Sequence, residues 1–176
     1  LNQFSVSVED PALGAGAWRL ATRSALPLKW TPARGGAGAT FEGGAGEALL
    51  SAPTARVSAN TPAQATLAWQ PVRWRPGELI SAGQLSGLPM AWIELLGGPQ
   101  LAGAGLGGNL LLDGQWDATL GDRLQLKASL ARRSGDLTVQ AQNVQGSNAR
   151  LAAGLKQAQL SLVSNGDALT LALRWD

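Results

Sequence analysis

Most of the chain alternates hydrophobic and polar residues with a period of two. The regular part of the pattern covers residues 109–120, 123–132, 136–144, 149–163 and 168–175, which are separated by Gly, Asn, Asp and Ser residues. A period of two places successive side chains on opposite faces of a strand. Turn residues at short spacing are typical of antiparallel hairpins. The pattern therefore predicts an all-β fold in which these strands form an antiparallel meander.

One parity of the predicted strands is apolar and the other is polar. About ten strands would make a sheet roughly 45–50 Å wide at 4.7–4.9 Å per strand, which one short helix cannot cover. We therefore expect an elongated, strongly curved antiparallel sheet, a U-shaped trough with an apolar groove. Two alternatives are a closed barrel around one hydrophobic ligand and a passive structural β domain. The predicted groove-lining residues are Leu110, Leu112, Trp116, Leu124, Leu126, Leu130, Leu137, Val139, Leu151, Leu160, Leu162, Leu169, Leu171, Leu173 and Trp175.

One stretch, residues 85–112, departs from this alternation and has helical spacing. Leu88, Trp92, Leu95 and Leu96 fall on one side of a helix there. Pro89 suits the first turn, and two glycines after residue 96 end the segment. We expect a short helix over residues 88–97, in an insertion of about residues 85–107. A helix this short is not stable alone in water, so its apolar side should form a plug against the sheet.

The length and the two ends bear on domain organisation. The 176 residues are enough for one domain, and no linker divides them, so we predict a single β-trough segment over residues 1–176. Both ends still alternate, which favours a fragment of a longer rod. The sequence contains no run of about 18 apolar residues, so it predicts no transmembrane helix.

The available side chains limit the possible chemistry. With no Cys and no His, the sequence does not support thiol catalysis, Cys-based zinc sites or a hydrolytic triad. Asp113, Asp117 and Asp122 lack calcium-loop spacing and fit turn or solvent-facing positions. Residues 103–108 match G-x-G-x-x-G, but the predicted helix precedes this motif and a strand follows it, which is the wrong order for a dinucleotide. We predict no enzyme, no metal site and no cofactor.

The charge and the tryptophan content bear on possible binding functions. The formal net charge is +2, and the basic residues are scattered among acidic ones, so the sequence does not predict nucleic-acid binding. Seven tryptophans occur without a tyrosine. Residues 69–75, WQPVRWR, could stack on a sugar or a base, but core packing with Arg at the rim is the favoured interpretation.

The residues from 69 to the C-terminus resemble the TamB family, which is similar to AsmA-like lipid conduits. The resemblance is carried by residues 79–87, the Leu-Pro start and Trp92 of the predicted helix, and residues 107–116, GGNLLLDGQW. Residues 117–121 and 135–139 add to it. The resemblance covers somewhat more than half of the chain. The N-terminal half matches the family only in its general character.

The resemblance implies a β-taco that forms part of a rod in the periplasm, in a protein anchored in the bacterial inner membrane. It implies that the groove conducts phospholipid between the inner and outer membranes and supports outer-membrane protein assembly. The implied partners are phospholipid, an outer-membrane barrel of the TamA type that docks outside this segment, and nascent outer-membrane proteins.

Overall fold

The computed structural model describes residues 5–9, 17–53, 64–92, 106–142, 148–165 and 167–176. Strands dominate these residues, and a short helix begins at Met90 and is described as far as Trp92. The strands are β1 Ser5–Glu9, β2 Ala17–Thr22, β3 Leu28–Thr31, β4 Thr40–Gly43, β5 Gly46–Ser51, β6 Gln64–Trp69, β7 Val72–Arg75, β8 Glu78–Pro89, β9 Leu106–Gly108, β10 Leu111–Leu120, β11 Leu124–Ser134, β12 Leu137–Gln142, β13 Asn148–Ala152, β14 Ala158–Asn165 and β15 Ala168–Trp175.

The described strands form one large and one small antiparallel sheet. The large sheet has 12 strands, and its main path runs β1-β2-β5-β6-β8-β10-β11-β14-β15. Strands β3, β4 and β7 join it through β8, and the small sheet has the order β13-β12-β9. The large sheet stays open between its edge strands β1 and β15. This arrangement confirms the predicted all-β class with large antiparallel sheets, and it contradicts the alternative of a closed barrel.

The predicted meander is wrong between β11 and β14. These two strands pair directly, for example at Leu130 and Leu160. The predicted strand over residues 149–163 is two strands, because the chain turns at Gly154, whose φ is +69°. The Asp136 carboxylate accepts hydrogen bonds from the backbone N–H groups of Gly154 and Leu155 at 2.8 and 3.0 Å, which holds this turn against the start of β12.

Three predicted groove-lining residues consequently lie in the small sheet. Leu137 and Val139 are on β12, and Leu151 pairs with Val139 from β13. Leu137 still packs against the core of the large sheet, whereas Val139 and Leu151 are 41 % and 60 % exposed. Alternation identified β12, but it merged β13 with β14 and could not show that the β12–β13 hairpin leaves the main sheet.

The predicted helix start at Leu88 is also wrong. Leu88 and Pro89 end strand β8, where they lie opposite Leu112 and Leu111. The backbone N–H of Met90 donates to the carbonyl of Leu110 at 2.9 Å, so the pairing continues until the helix begins. Proline is tolerated at a strand end, where its missing N–H removes no ladder bond from the interior.

A small core lies where this helix meets the large sheet. Trp92 is completely buried and packs edge-on against Trp18, with ring centroids 5.4 Å apart. The other buried hydrophobic residues of the cluster are Ala52, Ala65, Leu88, Leu110 and Leu112. Of the four residues predicted for the helical plug, Trp92 packs from the helix against the sheet, Leu88 belongs to strand β8 of the sheet itself, and Leu95 and Leu96 lie outside the described residues.

Asp136 joins the two sheets through its backbone and its carboxylate. Besides Gly154 and Leu155, the carboxylate accepts the N–H of Leu137 at 2.8 Å. The Asp136 carbonyl accepts the N–H of Asn109 at 3.1 Å, and the Asn109 side chain accepts the N–H of Asp136 at 2.8 Å. The hydrogen bonds from Leu155 and Gly154 hold the pKa of the Asp136 carboxyl below its usual value.

We expect Asp136 to make the stability depend on acidity. Because its pKa is lower in the folded protein, its contribution is fully present above the ordinary carboxyl pKa and is lost as pH falls through the lowered value. The difference in urea midpoint between the native protein and Asp136→Asn should be largest at neutral pH and shrink in acid. A difference that is constant with pH would contradict this linkage.

Candidate functional site

A row of mostly leucine side chains crosses the large sheet in register. Residues that are directly opposite in antiparallel strands project from the same face. The row runs through Leu67, Leu85, Gly114, Leu130, Leu160 and Leu173, on β6, β8, β10, β11, β14 and β15. Its five strand-to-strand steps correspond to about 24 Å at 4.8 Å each. We call this set the leucine row.

Beside the leucine row lies a second one that contains two tryptophans, each set over a glycine. We call it the tryptophan row. Trp69 lies opposite Gly46, and Trp116 lies opposite Gly83. A Cβ added at either glycine would collide with the indole, so each ring occupies the space that a side chain on the next strand would fill. The row continues through Ala128, Leu162 and Leu171.

Both indoles of the tryptophan row are fixed by hydrogen bonds at their own edges. Trp69 Nε1 donates to the carbonyl of Gly44 at 3.1 Å, and Trp116 Nε1 donates to Ser81 Oγ at 3.1 Å. The donors are thereby satisfied and the rings are held over the glycines, which leaves their apolar surfaces on the sheet. The two rings therefore add apolar surface to the sheet, and the Nε1–H group of neither indole projects from it.

A third row lies on the same face, at one end of the strands. It is formed by Trp30, Phe41, Trp74, Leu79, Leu120 and Leu124, which are successive partners across β3, β4, β7, β8, β10 and β11. We call this set the aromatic row, and we call the surface formed by the three rows the apolar face.

A bulge keeps the face continuous as it approaches the helix. Strand β8 shifts register there, so that Leu85 lies opposite Gly114 while Leu88 lies opposite Leu112. Gly87 has a φ of +71° and donates its N–H to Asp113 Oδ1 at 2.8 Å. The extra residue brings Leu85 and Leu88 to the same side although they are three positions apart.

The cover over the apolar face is uneven. At the helix end Leu88 and Leu112 are buried under Trp92, and Leu130 is half-buried against the same cluster. On the edge strand β15, by contrast, Leu169, Leu171, Leu173 and Trp175 are 55–65 % exposed. The face is therefore closed at one side by the helix and open toward β15.

The structure brings together most of the groove-lining residues that the sequence predicted. Leu112, Trp116, Leu124, Leu126 and Leu130 project from one face of β10 and β11. Their partners on the next two strands are Leu160, Leu162, Leu169, Leu171, Leu173 and Trp175. Leu110 precedes β10 and is buried in the core cluster, against which Leu137 of the small sheet packs, whereas Val139 and Leu151 form an exposed pair in the small sheet.

The sequence interpretation missed the half of the face contributed by earlier strands. Leu67 and Leu85 belong to the leucine row, and Trp69 belongs to the tryptophan row. The alternation around Trp69 was visible in the sequence. Which parity faces the same side as Leu130 depends on pairing between distant strands, and no local pattern specifies it.

The opposite face of the sheet is mostly polar and carries a hollow of about 590 Å³. Strands β6, β8, β10, β11 and β14 contribute to it. Asp117 and Lys127 are directly opposite each other there, and both are exposed. Other polar residues of the hollow are Gln70, Gln84, Gln115, Ser129, Gln159 and Ser161. Strong alternation thus produces two chemically distinct surfaces on one sheet.

The acidic residues of the described segments have structural or solvent-facing positions. Asp113 accepts the Gly87 N–H and lies 3.6 Å from the Arg133 guanidinium, which supports the bulge. Asp122 is exposed in the turn before β11. Among the described residues, no group of three or more possible ligands is placed to hold a metal ion. In those segments no helix has the length and hydropathy needed to span a membrane.

Comparisons of the sequence with protein-family models and with curated proteins, and of the structure with solved structures, found no match. The interpretation of the apolar face therefore rests on its geometry and on the residue pattern of this chain.

Proposed function

We propose that this chain is a segment of a lipid-conducting trough whose apolar face binds phospholipid acyl chains. The observation that carries the proposal is the continuity of the face. The leucine row crosses six strands in register and ends at Leu173, which is 59 % exposed on the open edge strand. A large exposed apolar surface favours a hydrophobic partner over water.

The energetics favour an acyl chain as that partner. Leaving a tail of fourteen methylenes in water costs about 11 kcal/mol, at about 0.8 kcal/mol per methylene. The leucine and tryptophan rows present similar apolar surface from strand to strand, without a deep pocket for one ligand. A tail can therefore move along the face with little change in free energy, while its polar headgroup stays in water at the margin.

The wider setting of this activity belongs to the same proposal. In line with the resemblance to the TamB family, we propose that the segment belongs to a periplasmic rod that is anchored in the inner membrane and serves outer-membrane biogenesis. In that setting the chain has no enzymatic role and binds no nucleic acid. An outer-membrane barrel of the TamA type and nascent outer-membrane proteins would meet parts of the rod. A passive structural β domain is the competing interpretation.

Photo-crosslinking on β15 tests acyl-chain binding. Leu171 pairs with Leu162 and belongs to the apolar face, whereas Thr170 pairs with Val163 and projects from the polar face. Both residues are exposed on the same edge strand, so they differ in facing and hardly in position. A photoreactive residue at Leu171 should capture phospholipid in cells at least five times more than one at Thr170.

Two outcomes would count against the trough. Equal capture at Leu171 and Thr170 would mean that lipid has no preferred face. Absence of lipid adducts at Leu171, while the variant folds normally by circular dichroism, would favour the passive structural domain.

A further inference from the structure

The aromatic row lies directly behind three hairpin turns at one end of the large sheet. These turns connect β3 to β4, β7 to β8 and β10 to β11. On each strand, the residue of the aromatic row lies within two positions of the turn. Trp74, for example, comes just before residues 75–78, and Leu120 comes just before residues 121–123. Gly38 of the first turn lies against Pro76 of the second. We call this region the hairpin end.

The large apolar side chains at the hairpin end are exposed although they contact one another. Trp30 and Trp74 are stacked, with centroids 6.0 Å apart and planes 8° from parallel. They remain 60 % and 37 % exposed, and Leu120 is 52 % exposed. Leu28, on the same side of β3 as Trp30, is 46 % exposed. Stacking therefore orders the indoles without removing them from water.

Positive charge accompanies this exposed cluster, mostly from the opposite face of the same strands, since Lys29 alternates with Trp30 on β3, and Arg73 and Arg75 alternate with Trp74 on β7. Residues 27–44 and 71–80, which contain β3, β4 and β7, carry Lys29, Arg34, Arg73 and Arg75 against Glu42 and Glu78, so four cations and two anions leave +2. That surplus equals the formal net charge of the whole chain, +2. Asp122 and Arg123 of the third turn, together with Asp167, which pairs with Arg123, add −1, so the hairpin end as a whole carries +1.

The turns also place an arginine at each tip of the hairpin end. Arg34 is exposed in the first turn. Arg75 lies 2.7 Å from Glu78, and Arg123 lies 3.8 Å from Asp167, with arginine side chains that are 66 % and 70 % exposed. Guanidinium groups bind phosphate through paired N–H donors, and exposed ion pairs such as these are easily exchanged for another anion.

We propose that the hairpin end is a contact surface for an anionic phospholipid bilayer. Tryptophan side chains favour the boundary between headgroups and acyl chains, and arginine is attracted to the phosphates and to the negative surface potential. Here the stacked indoles and Leu120 enter the boundary region while Arg34, Arg75 and Arg123 bind headgroup phosphates. This contact goes beyond acyl-chain binding, because it brings the aromatic row, which is one margin of the apolar face, to a membrane surface.

Vesicle flotation of the whole chain tests the contact. The vesicles contain phosphatidylethanolamine and phosphatidylglycerol at 3:1, with pure phosphatidylcholine vesicles as the neutral comparison. We expect binding to the anionic vesicles, a blue shift of tryptophan emission, and at least fivefold weaker binding by Trp30→Ser/Trp74→Ser. Arg34→Gln/Arg75→Gln should lower anionic binding by a similar factor and change neutral binding little.

Val139 and Leu151 supply a matched control. They form a cross-strand apolar pair in the small sheet and are 41 % and 60 % exposed, close to the values for Trp74 and Trp30. Val139→Ser/Leu151→Ser should bind the vesicles as the native protein does. Circular dichroism of every variant verifies that the fold is retained. The arginine variant is altered only at exposed positions, so it still tests the proposal if the tryptophan variant unfolds.

The proposal is overturned if the native chain does not float with anionic vesicles, or if the two double serine variants lose binding equally. Binding of a soluble oligosaccharide that quenches Trp30 and Trp74, without vesicle binding, would also overturn it in favour of a sugar platform. Lipid capture at Leu171 is measured separately and is expected to persist in Trp30→Ser/Trp74→Ser. Failure of the bilayer contact is therefore distinguishable from failure of the trough.

Discussion

Replacing Trp92 by alanine should lower the free energy of unfolding by about 3–5 kcal/mol, the usual loss for a fully buried tryptophan. The side chain is 0 % exposed and connects Trp18 on β2 with Leu88 and Leu112 on β8 and β10. Its removal leaves a cavity between the helix and the sheet. Strands β8 and β10 cannot move to fill the cavity without a change in their pairing register. Urea unfolding followed by circular dichroism measures the change.

Two comparisons separate packing from other effects of this substitution. Trp175→Ala removes the same side chain from a position that is 65 % exposed, and should change stability by less than about 0.5 kcal/mol. Trp92→Phe should cost less than half as much as Trp92→Ala. The indole Nε1 has no hydrogen-bond partner among the described residues, so phenylalanine removes an unsatisfied donor while keeping most of the buried ring. A loss below about 1 kcal/mol for Trp92→Ala would contradict the importance of this core.

Gly135→Ala should be the second strongly destabilising change. Gly135 has a φ of +78°, which costs an L-residue about 1–2 kcal/mol in the left-handed region. In addition, an added Cβ would collide with the backbone carbonyl of Asn109. Because Asn109 is hydrogen-bonded to Asp136 in both directions, the carbonyl cannot move without loosening the junction between the sheets.

Gly154 offers a control for the backbone cost alone. Its φ is +69°, but an added Cβ there would meet nothing within 4 Å. Gly154→Ala should therefore lose only the conformational cost of about 1–2 kcal/mol, and Gly135→Ala should lose at least twice as much in the same denaturation assay. Equal losses for the two variants would mean that the contact with Asn109 is not rigid.

The parts of the fold that depend on local patterning were predictable from the sequence. Alternation identified β10, β11 and β15 within a few residues, and it assigned Leu126, Leu160 and Leu171 to one face. These predictions held because side-chain facing follows directly from the pleat of a strand. The open antiparallel architecture followed from the excess of apolar surface over what one helix covers.

Other features depend on contacts between distant residues and could not be read locally. Leu88 and Pro89 fit a helix by spacing, but pairing with β10 keeps them extended. The direct pairing of β11 with β14 requires the intervening hairpin to leave the sheet, and Asp136 stabilises that departure through its hydrogen bonds to Gly154 and Leu155. The inclusion of Leu67 and Leu85 in the leucine row likewise follows from strand order.

The setting of Trp69 over Gly46 and of Trp116 over Gly83 has a consequence for how this chain can change over generations. Each indole fills the space beside its glycine, so a substitution at one of the two positions restricts which residues the other can accept. A larger residue at position 83 requires a smaller one at position 116 and also a shift of the Ala68 carbonyl, which would lie 2.5 Å from the added Cβ. A smaller residue at position 116 alone leaves a gap over the bare glycine. Positions 83 and 116, which are distant in sequence, should therefore behave as a single heritable unit whose members vary together.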